Sequence, residues 1–230
     1  KLVLFECLFC VIISYMYHER ELPDLKRIQI YYNSDVYNPE YTSPDPIFVA
    51  DALIRKALAV GLKVLDLGCG SGVLGLSLKA MHYSIDLTLC DIDEKALKVA
   101  KRNSKALNLP AKFIQSDMFS NIDEKYDLII TSLPSFKKDQ PTSQPSHTVY
   151  DPTLKLYKEL FKHAPSDIIV LELQKSRQNR IPTITKGWME ILKTDYAYAF
   201  LRKADTPNKG KSPTGTKKHE APLRSKKRQT

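Results

Sequence analysis

A chain of 230 residues, 43% of them hydrophobic, carries the material for one core-bearing domain with appendages, which excludes a wholly disordered chain. Its four cysteines (Cys7, Cys10, Cys69 and Cys90) are too few and too scattered for a disulfide framework, and its five histidines (18, 82, 147, 163 and 219) have no metal-ligand spacing, so a reducing, cytoplasmic setting without a metal is expected. The net charge of +9 is uneven: residues 203–230 hold nine Lys/Arg against two acids, +7, leaving +2 for residues 1–202.

The chain divides into an N-terminal extension with capping strands (1–43), a main domain (44–202) and a basic tail (203–230). Residues 2–17 are apolar apart from Glu6 and Ser14, but the uninterrupted run is only Cys7–Ile13, short of the ~20 residues that span a bilayer; a buried element is expected, and no membrane anchor. Cys7 and Cys10 read as two buried thiols, since no second pair completes a zinc site. Leu25–Tyr37 is β-rich and predicts a strand or hairpin. Pro39, Pro44 and Pro46 stiffen the loop that follows, and Ser43 or Asp45 is placed to cap a helix from about Pro46 to Val60, closed by Gly61.

Lys63–Leu78, KVLDLGCGSGVLGLSL, is the most informative stretch. It predicts a buried strand, a turn with Gly68, Gly70 and Gly72, and an apolar helix start. Such a turn lets a ligand approach the backbone, and the helix directs its free N–H groups at that ligand. Ile85–Leu89 predicts the next strand, ending in Cys90-Asp91-Ile92-Asp93. Asp93 suits a helix cap for EKALKVAKRNSKALN, whose apolar face is Ala96, Leu97, Ala100 and Leu107. Lys112–Gln115 and Tyr126–Ile130 read as strands, and Asp151-Pro152 as the opening of a helix over residues 153–164. Asp167–Leu173 reads as a buried strand, and Trp188–Leu192 with Tyr196–Leu201 as a final hairpin. Residues 137–147 read as a mobile polar loop and the tail as disordered.

The core of the glycine turn, D-L-G-C-G-S-G, resembles the first motif of the class I S-adenosylmethionine-dependent methyltransferases, with Asp66 as its acid. A dinucleotide fingerprint is G-x-G-x-x-G with an acid about 20 residues on; here the core is G-x-G-x-G with an acid, Asp66, on the strand itself. The resemblance implies an α/β, Rossmann-like three-layer sandwich around a mostly parallel seven-stranded sheet with one reversed strand, and S-adenosyl-L-methionine as cofactor. It implies cofactor-binding roles for Asp66, Gly68, Gly70 and Gly72. Asp91, 19 residues past Gly72, would take the ribose hydroxyls, Asp117 the adenine amino group, and Met118 or Phe119 the adenine ring. Within the class, Val36-Tyr37-x-Pro39 and the strand YDLII followed by Thr131–Phe136 resemble the HemK-type glutamine and small-domain ribosomal RNA amino-methyltransferases. In those enzymes an Asn-Pro-Pro-(Tyr/Phe) segment accepts the two N–H bonds of an amide or exocyclic amino nitrogen. Here Ser132 stands for the Asn, Leu133 for the first Pro and Ser135 for the aromatic; Pro134 is unchanged, and Phe136 is one place along.

Ser132 and Pro134 are therefore the expected catalytic pair. Serine is shorter than asparagine and is expected to need a water or a shifted loop, while Leu133 is expected to leave its carbonyl less firmly held than proline would. The implied acceptor is a release factor, a ribosomal protein or an RNA base, with RNA contact through the basic tail. Two rival readings are a non-catalytic cofactor-binding or partner-activating subunit and a dinucleotide-binding oxidoreductase.

Overall fold

A computed structural model describes residues 17–22, 27–57, 59–136 and 150–204. The apolar N-terminal element, Cys7 and Cys10, the polar loop and nearly all of the basic tail lie outside the described residues.

Nine strands are described: β1 (Tyr17–Glu21), β2 (Arg27–Tyr31), β3 (Lys63–Leu67), β4 (Asp86–Asp91), β5 (Lys112–Gln115), β6 (Leu128–Thr131), β7 (Ile168–Glu172), β8 (Trp188–Lys193) and β9 (Ala197–Arg202). The helices are α1 (Asp45–Ala57), α2 (Val73–Met81), α3 (Glu94–Ala106), α4 (Lys155–His163) and the single turn α5 (Ile181–Ile184). Strands β3 to β9 form one seven-stranded sheet in the order β5-β4-β3-β6-β7-β9-β8. Every neighbouring pair from β5 to β7 is parallel, and β9 runs antiparallel to both β7 and β8. One reversed strand in a mostly parallel sheet is the architecture expected.

The core strands are apolar on both faces because both faces are covered. Val64, Leu128, Ile130 and Val170 face one cluster, with Ile47 and Ala50 of α1, Leu76 and Leu78 of α2 and Leu97 of α3. The intervening residues, Leu65, Ile129, Ile169 and Leu171, face a second cluster with Tyr157, Leu160 and Phe161 of α4 and Ile181 and Ile184 of α5. This period-2 division sets up the three layers. The 3-10 stretch Lys175–Arg180 and α5 have no counterpart in the sequence expectation, because helical pieces of six and four residues are too short to carry a periodic signal.

Helix α1 begins at Asp45, where Ser43 Oγ accepts the Asp45 N–H at 3.1 Å, and ends at Ala57, three residues before the expected Val60. Gly61, with φ +73°, therefore sits in the turn after the helix rather than directly capping it. Helix α4 also starts later than expected. Leu154 is buried in the left-handed region at φ +55°, and the Asp151 carboxylate reaches past it to accept the Leu156 N–H at 2.8 Å. The capping hairpin pairs β1 with β2, apart from the main sheet. It is fastened to α3 by Asn103, whose carboxamide oxygen accepts the Tyr31 N–H at 2.9 Å while its nitrogen donates to the carbonyls of Tyr31 and Ser71. All of that buried amide's bonding capacity bar one lone pair is used.

Candidate active site

Strand order reverses between β3 and β6, and in open parallel sheets ligands bind outside the carboxyl ends of the strands at such a switch. The glycine turn lies there. Gly68, Gly70 and Gly72 all have left-handed φ values (+69°, +53° and +80°), a conformation in which a side chain is strained. The turn is fixed to the end of β4: Cys69 N–H donates to the Cys90 carbonyl and Gly70 N–H to Asp91 Oδ2, both at 2.9 Å. Beneath it Gly75, inside α2, allows the closest approach. An added Cβ would lie 2.8 Å from Leu89 Cδ2 and 2.9 Å from Asp66 Oδ2.

A cavity of about 380 Å³ opens over this turn, within the size range of small-molecule sites. Gly68, Gly70, Asp91, Asp117, Met118, Ser132 and Pro134, seven of the nine residues singled out in the sequence, line it together. The other two, Asp66 and Gly72, do not. Asp66 is 1% exposed, and its Oδ2 accepts the Gly75 N–H at 2.8 Å, so it clasps α2 to β3 from behind the turn. Burial pushes its carboxyl up to about 7 despite that bond. Gly72 is the N-cap of α2 and faces Leu76 and Leu89. Of the two candidate ring partners, Met118 lines the cavity and Phe119 does not; it packs against the second core cluster.

Asp91 uses both carboxylate oxygens on backbone: Oδ2 on Gly70 N–H, and Oδ1 on Asp93 N–H at 3.0 Å. Burial raises its pKa. The Ile92 N–H also bears on this carboxylate, and the residue lines the cavity. Asp93 also lines the cavity, and it caps α3 as expected, its Oδ1 accepting the Lys95 N–H at 2.8 Å.

At the other end, Ser132 donates its hydroxyl to Glu172 Oε2 at 2.9 Å. Glu172 also accepts the Ser43 N–H at 3.1 Å. Its carboxyl is pushed up to about 7 by burial, against the bonds from Ser43 and Ser132 and the nearby charge of Arg20. Ser132 thus has a direct carboxylate partner. Leu133 lies next along the chain. Its side chain is buried, and the Tyr157 hydroxyl lies 2.8 Å from both the Leu133 and the Glu172 carbonyl oxygens, close enough to donate to either. Phe136 lines the cavity, whereas Ser135, in the aromatic's place, is buried in its wall.

Glu172, Gln174, Tyr37 and Tyr41 line the cavity without having been singled out for it. A charged residue at the carboxyl end of an otherwise apolar parallel strand was the available signal for Glu172. Tyr37 and Tyr41 meet edge to face at 6.3 Å, and burial pushes the Tyr37 hydroxyl up to about 12. Among the described residues no group of three or more His, Cys, Asp or Glu is arranged to hold a metal, and no helix is long and apolar enough to cross a membrane.

A family model, the methyltransferase small domain, matches residues 45–164, more than half of the chain. The chain belongs to that family. This small-domain chain is 47% identical over 80 residues to the ribosomal RNA small subunit methyltransferase C of Actinobacillus pleuropneumoniae serotype 5b, a match covering 35% of this chain and 24% of that protein. It is 31% identical over 115 residues to the release factor glutamine methyltransferase of Streptococcus pneumoniae, covering 50% and 41%. The matches thus span well under half of those relatives. In three dimensions the small-domain fold is similar to the Thermus thermophilus 16S rRNA N2 G1207 methyltransferase solved with AdoMet and guanosine, with a TM-score of 0.60 and 16% identity over 82% of this chain and 50% of that one. It is also similar to a ribosomal protein L11 methylase from Lactobacillus delbrueckii, with a TM-score of 0.51, 16% identity and coverage of 69% and 77%.

Proposed function

We propose that this protein transfers a methyl group from S-adenosyl-L-methionine to an amide or exocyclic amino nitrogen of a protein glutamine or an RNA base. The observation that carries this reading is the convergence of the glycine turn, the Asp91 carboxylate and the Ser132–Pro134 segment on one cavity in a chain of this family. The residues present fit the cofactor. Gly70 has nothing within 4 Å of its would-be Cβ, leaving room over the turn, and Asp91 lines the cavity with a carboxylate that suits a vicinal diol.

When bound, the cofactor supplies a sulfonium methyl carbon open to in-line displacement. Gly68 and Gly70 leave space for its methionine portion, Asp91 holds the ribose, and Asp117 with Met118 holds the adenine. Asp66 and Gly72 act indirectly, by keeping α2 and the turn in place. Ser132 Oγ and the Leu133 carbonyl, flanked by Pro134, accept N–H bonds from the acceptor. That localises a lone pair otherwise delocalised into a carbonyl or ring, and positioning of this kind supplies much of such a barrier reduction. Residues 44–202 form the catalytic unit, and the β1–β2 pair caps it. The +7 tail adds salt-dependent contact with RNA, and the working compartment is the cytoplasm.

Relatives named for ribosomal RNA, ribosomal protein and release factor modification define the acceptors to try. The test is tritium transfer from methyl-labelled S-adenosylmethionine to purified small ribosomal subunits and to a release factor, with the modified residue identified after digestion. Label on a glutamine side-chain nitrogen or an exocyclic base nitrogen is expected. Tight cofactor binding with no transfer to either acceptor would instead support a non-catalytic subunit.

A further inference from the structure

We propose that Glu172 is an acceptor-contacting catalytic residue which, with Ser132, replaces the asparagine of the related motif and takes the proton shed by a nitrogen that carries two N–H bonds. The inference rests on the methyltransferase reading above and deepens it.

The geometry starts from a shortfall. Serine alone is too short to stand for asparagine, yet here its hydroxyl proton is committed to Glu172 Oε2 at 2.9 Å. That bond turns Ser132 Oγ into an acceptor only, the property the asparagine oxygen would have had. It also brings the longer carboxylate into the same corner, and Glu172 lines the cavity beside Ser132. Two of its lone-pair directions are used, by Ser132 and by the Ser43 N–H; two remain. The Leu133 carbonyl, with the Tyr157 hydroxyl in reach, completes a corner of three oxygen acceptors on adjoining strand ends. An amino or amide group directing two N–H bonds into it is matched; an acceptor without N–H bonds would leave these oxygens unpaired, at a cost that discriminates against it.

The proton balance requires a base. In the transfer a nitrogen–carbon bond forms, the carbon–sulfur bond breaks, and its electron pair stays on sulfur. The nitrogen is then cationic until one N–H bond breaks, its electrons return to nitrogen and the proton passes to a Glu172 carboxylate oxygen. Solvent receives it afterwards.

The groups facing Glu172 come from every packed element: Arg20 from β1, Tyr37 from the loop before α1, Ser43 and Asp45 at the start of α1, Ser132 after β6 and Tyr157 on α4. The positive charge of Arg20 acts to lower its pKa, and Arg20 also donates to the Pro39 and Thr42 carbonyls. Burial outweighs these bonds and charges, so the carboxyl titrates near neutral pH, where a base is most effective.

The experiment compares parent, Glu172→Gln and Glu172→Ala for kcat and KM of methyl transfer to small ribosomal subunits and to a release factor between pH 5.5 and 8.5, with calorimetric S-adenosylmethionine affinity alongside. The parent rate should rise with pH through about 7. Glu172→Gln, nearly isosteric, should bind cofactor within about twofold of parent, lose about 10²-fold in kcat and lose the pH-dependent limb. Glu172→Gln with the parent's rate and pH profile overturns this proposal and leaves the proposed function standing. Cofactor binding lost in parallel with rate would make Glu172 merely structural and overturns it too. A parent that binds cofactor but labels neither acceptor overturns both.

Discussion

Asp91→Ala removes a side chain that serves two partners at once. Its oxygens receive Gly70 N–H at 2.9 Å and Asp93 N–H at 3.0 Å, and the residue lines the cavity. A hydrogen bond to a charged group contributes about 1.5–3 kcal/mol. Losing both ribose contacts would double that, but the carboxylate already sits at a raised pKa because of burial, so part of the gain is offset when its charge is desolvated. The net expectation is a weakening of S-adenosylmethionine and S-adenosylhomocysteine binding by about 1.5–3 kcal/mol, roughly 10- to 150-fold. The freed Gly70 N–H should also lower stability by about 1 kcal/mol. Asp91→Asn keeps the volume but sets an amide N–H against one backbone donor, so it should rescue little of the loss. Isothermal calorimetry reads the affinities, and urea unfolding reads the stability. NAD should give no heat with any variant. Asp91→Ala affinity within twofold of parent would refute the assignment of the β4 end to the ribose.

Three further outcomes follow from the geometry. Gly75→Ala should destabilise by about 1–3 kcal/mol in urea, because contacts of 2.8 and 2.9 Å outweigh the ~1 kcal/mol helix-propensity gain; a stabilised variant would mean α2 does not sit so close to β3. Asp66 titrates near 7 in the fold against 3.8 ordinarily, so between those values the folded state holds a proton that the unfolded chain has lost. Parent stability should therefore fall as pH rises from about 4 to 7, by up to about 4 kcal/mol from this group, and Asp66→Asn should flatten that decline; an unchanged slope contradicts the burial argument. Restoring Asn-Pro-Pro-Tyr at residues 132–135 should lower transfer to the native acceptor about tenfold with cofactor affinity unchanged, since a displaced contact costs rate rather than binding; a gain in rate would mean the motif has decayed.

The glycine turn was legible because Gly68, Gly70, Gly72 and Gly75 fall within eight residues, the first three for their left-handed backbone and the last for a close approach. The sheet was legible because its central strands are apolar on both faces and punctuated by caps and prolines. What the chain order hid was contact across distance. Asp66 looked like a ligand because the motif contains it, but only the fold shows its oxygen turned to Gly75 N–H, away from the cavity. Ser132 looked deficient beside asparagine because its compensating partner, Glu172, is 40 residues on. For Leu133 the chain order hid that Tyr157, 24 residues later, lies within reach of its carbonyl. Tyr17–Glu21 escaped notice as a strand, since its charged sequence gains β structure from pairing with Arg27–Tyr31 rather than from its own pattern.

The most direct measurement is the crystal structure of the complex with S-adenosylhomocysteine. The account predicts the ribose hydroxyls within about 3 Å of the Asp91 carboxylate, the adenine between Asp117 and Met118, and the sulfur pointing along the cavity toward Ser132 and Glu172. A ligand bound elsewhere, or one whose sulfur faces away from Ser132, would contradict it.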